Sequence, residues 1–154
     1  MTAAMITQSF MKVVSSMSHI PSSSAVGMQE GKVILVIEDD ADLGTFLVQF
    51  LREATPLYYA LHAMDASQAL AIVHSLIPDL LLVDYWLPKT TGLELYDRLH
   101  GIPELKHVPA LFMSAVRPSS LAERQMPFIE KPFELDHLWQ TIESFLPRDF
   151  HWLE

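Results

Sequence analysis

Val33-Ile34-Leu35-Val36-Ile37-Glu38-Asp39-Asp40 is the stretch on which the fold turns. Five consecutive valine, isoleucine and leucine side chains leave no polar position for a solvated face, so the run predicts a strand covered on both sides, at the centre of a sheet. Three acids follow it without a break. Further on, Leu80-Leu81-Leu82-Val83 is a second run of the same kind, and it ends at Asp84. Such runs alternate with segments of helical period, which is the pattern of a parallel sheet wrapped by helices on both faces.

Outward from the first run, a helix is expected from 40 or 42 to 54, with Leu43, Phe46, Leu47, Phe50 and Leu51 on one stripe and Pro56 just past its end. Strand two follows at 57–61. Asp65 with Gln68 three residues on reads as a capping-box-like start to a second helix, which carries Leu70, Ile72, Val73 and Leu76 and stops before Pro78. Gly92 opens a third helix to about His100, and strands four and five fall at 109–113 and 127–129. A terminal helix at 134–146 presents Leu135, Leu138, Trp139, Ile142 and Phe145 on its apolar face. Between Ser114, at the end of strand four, and strand five lie only 12 residues, 115–126. A βαβ crossover needs about 10 to 12, so the fourth helix is expected to be short or absent and its segment mobile.

The bulk properties exclude several classes. A formal charge of -9, from 19 acidic and 10 basic residues with no Lys/Arg cluster, cannot neutralise a run of phosphates, so no nucleic-acid partner is expected. The absence of cysteine removes disulfides, thiolate zinc sites and cysteine nucleophiles together. No apolar stretch spans a bilayer and no signal peptide is legible, so the expected location is cytoplasmic, with no membrane partner. The seven histidines form no pair at metal-ligand spacing on an expected helix. Residues 1–31, rich in Ser and Met, read as a flexible leader, 32–147 as the folded domain and 148–154 as a tail. The leader is open to reading as a tag, a misassigned start or a genuine extension, and a short amphipathic helix that docks on a partner is an alternative for 10–14.

In an open parallel sheet the ligand site lies outside the carboxyl ends of the strands. Here those ends carry Glu38-Asp39-Asp40, Asp84, Ser114 and Glu130-Lys131-Pro132. Singly, each has a plain structural role: acids after a strand cap helices, Asp and Ser form turns, and Lys-Pro turns the chain. Together, Glu38, Asp39 and Asp84 would raise one another's pKa unless a cation lay among them. An all-oxygen set with few protein ligands suits Mg2+. A carboxylate is also a nucleophile toward phosphorus, so Asp84 could attack while Lys131 neutralises phosphoryl oxygens and Ser114 donates a hydroxyl to one of them.

Ile34-Leu35-Val36-Ile37-Glu38-Asp39-Asp40, Leu82-Val83-Asp84-Tyr85-Trp86-Leu87-Pro88 with Gly92, Ser114-Ala115 and Lys131-Pro132-Phe133 together resemble response-regulator receiver domains of two-component signalling, over about 32–146. The most specific element is an Asp followed four residues later by Pro and eight later by Gly. The resemblance implies a flavodoxin-like doubly wound α/β fold of five parallel strands in the order 2-1-3-4-5. It implies a phosphoprotein in which Asp84 takes the phosphoryl group from a histidine kinase or phosphotransfer protein. Mg2+ would be held by Asp39 and Asp84, by Glu38 through water and by the backbone carbonyl of Trp86. Ser114 would be the switch hydroxyl, Phe128 the aromatic that changes rotamer, and Lys131 the phosphate-contacting lysine before a cis peptide. Family switches often carry Tyr where Phe128 stands, which weakens the implied coupling there.

The short tail after Leu146 leads us to expect a stand-alone receiver, or one excised from a longer protein, that signals by switching an unknown output partner, with a homodimer also allowed. The competing reading is a degenerate receiver used as a phosphorylation-independent interaction platform. An aspartate-nucleophile phosphatase needs a second acid two residues after the nucleophile, where this chain has Trp86. The chain is therefore not expected to be an enzyme beyond assisting its own phosphorylation and dephosphorylation.

Overall fold

The computed structural model describes residues 31–146. The rest of the expected leader, the helix weighed at 10–14 and the expected tail lie outside the described residues. The main sheet has five parallel strands, numbered here in chain order: β1 Lys32–Ile37, β2 Tyr58–Ala63, β3 Leu80–Asp84, β4 Ala110–Ser114 and β5 Phe128–Glu130. Their spatial order is β2-β1-β3-β4-β5, the order that the family resemblance implies. The α-helices among the described residues are α1 Ala41–Ala54, α2 Ala66–Val73, α3 Gly92–His100, α4 Ser119–Glu123 and α5 Leu135–Phe145.

Side chains alternate along each strand, so the sheet separates two cores. One face packs Ile34, Val36, Leu82, Leu111 and Met113 against Leu47 and Leu51 of α1 and Leu138 and Ile142 of α5. The other packs Leu35, Ile37, Leu81, Val83 and Phe112 against Ile72 of α2, Leu95 and Leu99 of α3 and Leu121 of α4. Central strands β1 and β3 are buried along almost their whole length, which is why their sequences show no alternation.

Each helix start has a chemical cause. Asp40 caps α1, its Oδ1 accepting from the backbone N–H of Asp42 at 3.0 Å and of Leu43 at 3.1 Å. Asp65 caps α2 by accepting from Gln68 N–H at 2.8 Å, while the Gln68 side chain accepts from Met64 N–H rather than from the cap residue itself. Thr91 and Glu94 form a reciprocal capping box at α3.

Several boundaries differ from the sequence reading. β4 and β5 begin one residue later, at Ala110 and Phe128, because Pro109 and Pro127 have no N–H to donate. Their carbonyls still join the ladder, accepting from Leu81 and Phe112. β2 also starts one residue later and runs on to Ala63. Helix α2 ends at Val73, so Leu76 packs from the following turn. Phe46 does not belong to the buried stripe of α1: it is 49% exposed, and Gly44 is buried in that stripe instead. Leu135, Trp139 and Phe145 of α5 are half-buried. The fourth helix is present but short, with five residues.

Candidate functional site

The parallel topology brings the ends of β1, β3, β4 and β5 to one rim. Glu38 directly follows β1, and its N–H continues the ladder to Ala63 O at 3.0 Å. Its side chain is buried, at 1% exposure. Asp39, beside it, is exposed. Asp84 closes β3, where Tyr85 N–H pairs with Met113 O and holds the strand end in the sheet. Carboxylate oxygens of Glu38, Asp39 and Asp84 all lie within 4.8 Å of one another.

Lys131 reaches this group from the end of β5. Its Nζ lies 2.8 Å from Glu38 Oε2 and 3.5 Å from Asp84 Oδ2, and its N–H donates to Ser114 O at 2.9 Å. The Lys131-Pro132 peptide is cis. One ammonium therefore faces two of the three carboxylates. Burial pushes the Asp84 carboxyl up to about 7, the Glu38 charge adds to the rise, and Lys131 opposes it. For Lys131 burial acts downward, but its hydrogen bonds and charge interactions with Glu38 and Asp84 together outweigh that and leave its pKa raised.

Ser114 closes β4 with its Oγ fully buried and without a hydrogen-bond partner. A hydroxyl in that state costs about 1–3 kcal/mol, so a polar ligand at this rim would find a donor already desolvated. The donor set is three carboxylates and no sulfur or imidazole, which fits a hard divalent cation such as Mg2+.

The β3–α3 loop shapes the remaining wall. Trp86–Leu87 and Thr90–Thr91 form a two-stranded antiparallel ribbon, turned at Lys89 with φ 69°. Gly92 folds back so closely that a Cβ there would overlap the Asp84 carbonyl, and its N–H donates to Tyr85 O at 2.6 Å. This explains why a glycine is needed eight residues after Asp84. Trp86 donates its N–H to Asp84 Oδ1 at 3.3 Å, while its indole is 64% exposed and packs edge-on against Tyr85. Phe128, at the start of β5, is half-buried, with the Arg117 guanidinium 6.0 Å from its ring centroid.

The structure thus brings Glu38, Asp39, Asp84, Ser114 and Lys131 together and leaves Phe128 at the opposite end of its short strand from Lys131. Two tethers on α4 escaped the sequence reading. Tyr85 Oη lies 2.8 Å from Ser120 Oγ, and Arg124 makes a bidentate pair with Asp97 at 2.8 and 2.9 Å. With Leu121 buried beneath, they anchor the segment expected to be mobile. No local pattern announces pairs separated by 35 and 27 residues. The ribbon was missed for a related reason, since two-residue strands carry no period.

Residues 34–143 match the model of the response regulator receiver domain family. The chain is 30% identical over 120 residues to the polar-differentiation response regulator DivK of Brucella anthropi, an alignment covering 75% of this chain and 96% of that protein. Among solved structures it resembles the receiver domain of the hybrid histidine kinase CckA, at 27% identity and a TM-score of 0.62, over 74% of this chain and 98% of that one. The Vibrio cholerae chemotaxis protein CheY4 matches with a TM-score of 0.69 at 22% identity, over 75% of this chain and 98% of that one, which bears on the fold alone.

Proposed function

The chain belongs to the response-regulator receiver family, and from that premise we propose that it accepts a phosphoryl group on Asp84 and changes its binding to an output partner in response. The donor is a histidine kinase or a phosphotransfer protein. The observation that carries the reading is the pairing of Lys131, held between Glu38 and Asp84, with a buried Ser114 hydroxyl that has no partner.

An Asp84 carboxylate oxygen attacks the donor's phosphorus, and the phosphorus–nitrogen bond to the donor imidazole breaks with its electron pair leaving on that nitrogen. Lys131 faces the developing charge on the phosphoryl oxygens, and the Ser114 hydroxyl donates to one of them. Asp39 and Asp84, with Glu38 through water and the Trp86 carbonyl, would hold Mg2+. When bound, the ion neutralises the crowded carboxylates and polarises the phosphoryl group. Phe128 follows Ser114 toward the phosphoryl group. We take 32–147 as the receiver, with 1–31 a leader and 148–154 a tail. Among the described residues no helix is long and apolar enough to cross a membrane, which is compatible with action in the cytoplasm.

The test is incubation with Mg2+ and acetyl phosphate, followed by intact-mass measurement of wild type and Asp84→Asn. One phosphoryl mass gained by wild type alone is the expected result. No gain in either protein, with Mg2+ binding also absent, would replace this reading with that of a phosphorylation-independent platform.

A further inference from the structure

All four polar groups of Glu38 are engaged, and one of the four partners is a histidine outside the acidic cluster. Its N–H pairs with Ala63 O, Oε1 accepts from Asp40 N–H at 3.2 Å, and Oε2 accepts from Lys131. The fourth group, the carbonyl oxygen, lies 2.7 Å from His62 Nε2. A carbonyl can only accept, so Nε2 carries the hydrogen. That carbonyl belongs to the peptide joining Glu38 to Asp39, the two neighbouring acids of the site.

The imidazole has a built seat. His62 lies one residue before the end of β2, paired in register with Val36 of β1. Its ring lies against Gly44 in the second turn of α1, where a Cβ would overlap Nε2, Cε1 and Cδ2. Gly44 is also a buried position inside α1, where glycine costs up to roughly 1 kcal/mol relative to alanine. The space it opens is filled by the ring that reaches the Glu38 carbonyl.

We propose that His62 is a positioning residue for the cation site: its Nε2–H fixes the Glu38–Asp39 peptide so that both carboxylates keep their placement around Asp84, and Gly44 is the residue that admits it. The inference rests on the phosphoacceptor reading above. Outer partners that orient metal ligands typically contribute 10- to 100-fold in affinity. Because His62 acts through a backbone carbonyl, the expected loss is at the lower end, about tenfold.

The experiment is calorimetric titration of Mg2+ into wild type, Asp39→Asn, His62→Phe and His62→Gln, with thermal unfolding of each protein in EDTA. Phe keeps a flat ring over Gly44 without a donor; Gln keeps an amide donor without the ring. The expected result is about tenfold weaker Mg2+ binding in His62→Phe and affinity within about threefold of wild type in His62→Gln. Wild-type affinity in His62→Phe would overturn the proposal while leaving the phosphoacceptor reading in place. Equal losses in Phe and Gln would also overturn it, because a restored donor would then restore no affinity. If wild type shows no Mg2+ binding that Asp39→Asn weakens, the site reading itself fails and this inference with it.

Discussion

Replacing Ser114 with alanine should stabilise the free protein and weaken its response to a phosphoryl mimic. The hydroxyl is fully buried, and its oxygen has no hydrogen-bond partner. Leaving such a group unsatisfied costs about 1–3 kcal/mol. Removing one oxygen leaves a small void, which at roughly 24 cal/mol per Å3 costs a few tenths of a kcal/mol. The net gain for Ser114→Ala is therefore about 1 kcal/mol, or roughly 4 °C in Tm for a domain of this size. With beryllofluoride and Mg2+ the sign reverses, because wild type forms a charge-assisted hydrogen bond of about 1.5–3 kcal/mol that the variant lacks. Urea unfolding with and without beryllofluoride measures both quantities. A variant destabilised by about 1 kcal/mol or more without ligand would refute the reasoning, since it would mean that the hydroxyl is satisfied in the free protein.

Mg2+ affinity should depend on pH, because Asp84 must lose its proton to ligate and burial has raised its carboxyl to about 7. Below that value the neutral acid prevails, so the affinity at pH 6 should be about tenfold weaker than at pH 8 in calorimetric titrations; no change would show Asp84 to be an ordinary carboxyl. Trp86, exposed beside Asp84, should report Mg2+ by fluorescence in a protein lacking the other tryptophans, and Trp86→Asn should speed phosphoryl loss if the indole screens Asp84 from water. An unchanged hydrolysis rate removes the screening role. Residues 115–126 should change their hydrogen-exchange protection on adding beryllofluoride, and Tyr85→Phe, which cuts the tie to Ser120, should raise exchange there without ligand. Equal strong protection in all three states would identify a rigid loop.

What the sequence made legible was whatever repeats or sits beside a strand end. The buried runs at β1 and β3 placed Glu38 and Asp84, and the parallel connections then placed Ser114 and Lys131 on the same rim without further information. Phe46 was misassigned because helical spacing alone does not say where the stripe centres, and the small Gly44 occupied the buried position that a larger residue was expected to fill. The shortness of α4 followed from counting residues, but its anchoring did not. Leu121 looked like any apolar residue, and the partners of Ser120 and Arg124 lie on the β3–α3 loop and α3. The contact of His62 is illegible in the sequence, because its partner is a carbonyl and backbone acceptors have no signature there.

Among the described residues the two cores meet only through the backbone of the sheet, and this gives the molecule two separable ledgers of sequence change. Leu47 and Leu51 press on one face, Leu95 and Leu99 on the other, with no side chain shared between them. Distant sites without common partners contribute nearly additively, so substitutions beneath α1 and α5 leave the tolerance of α2, α3 and α4 almost untouched. A lineage can then rewrite one side of the domain at its own pace while the other drifts independently. The strand ends, to which both sides contribute, are where the two histories must agree.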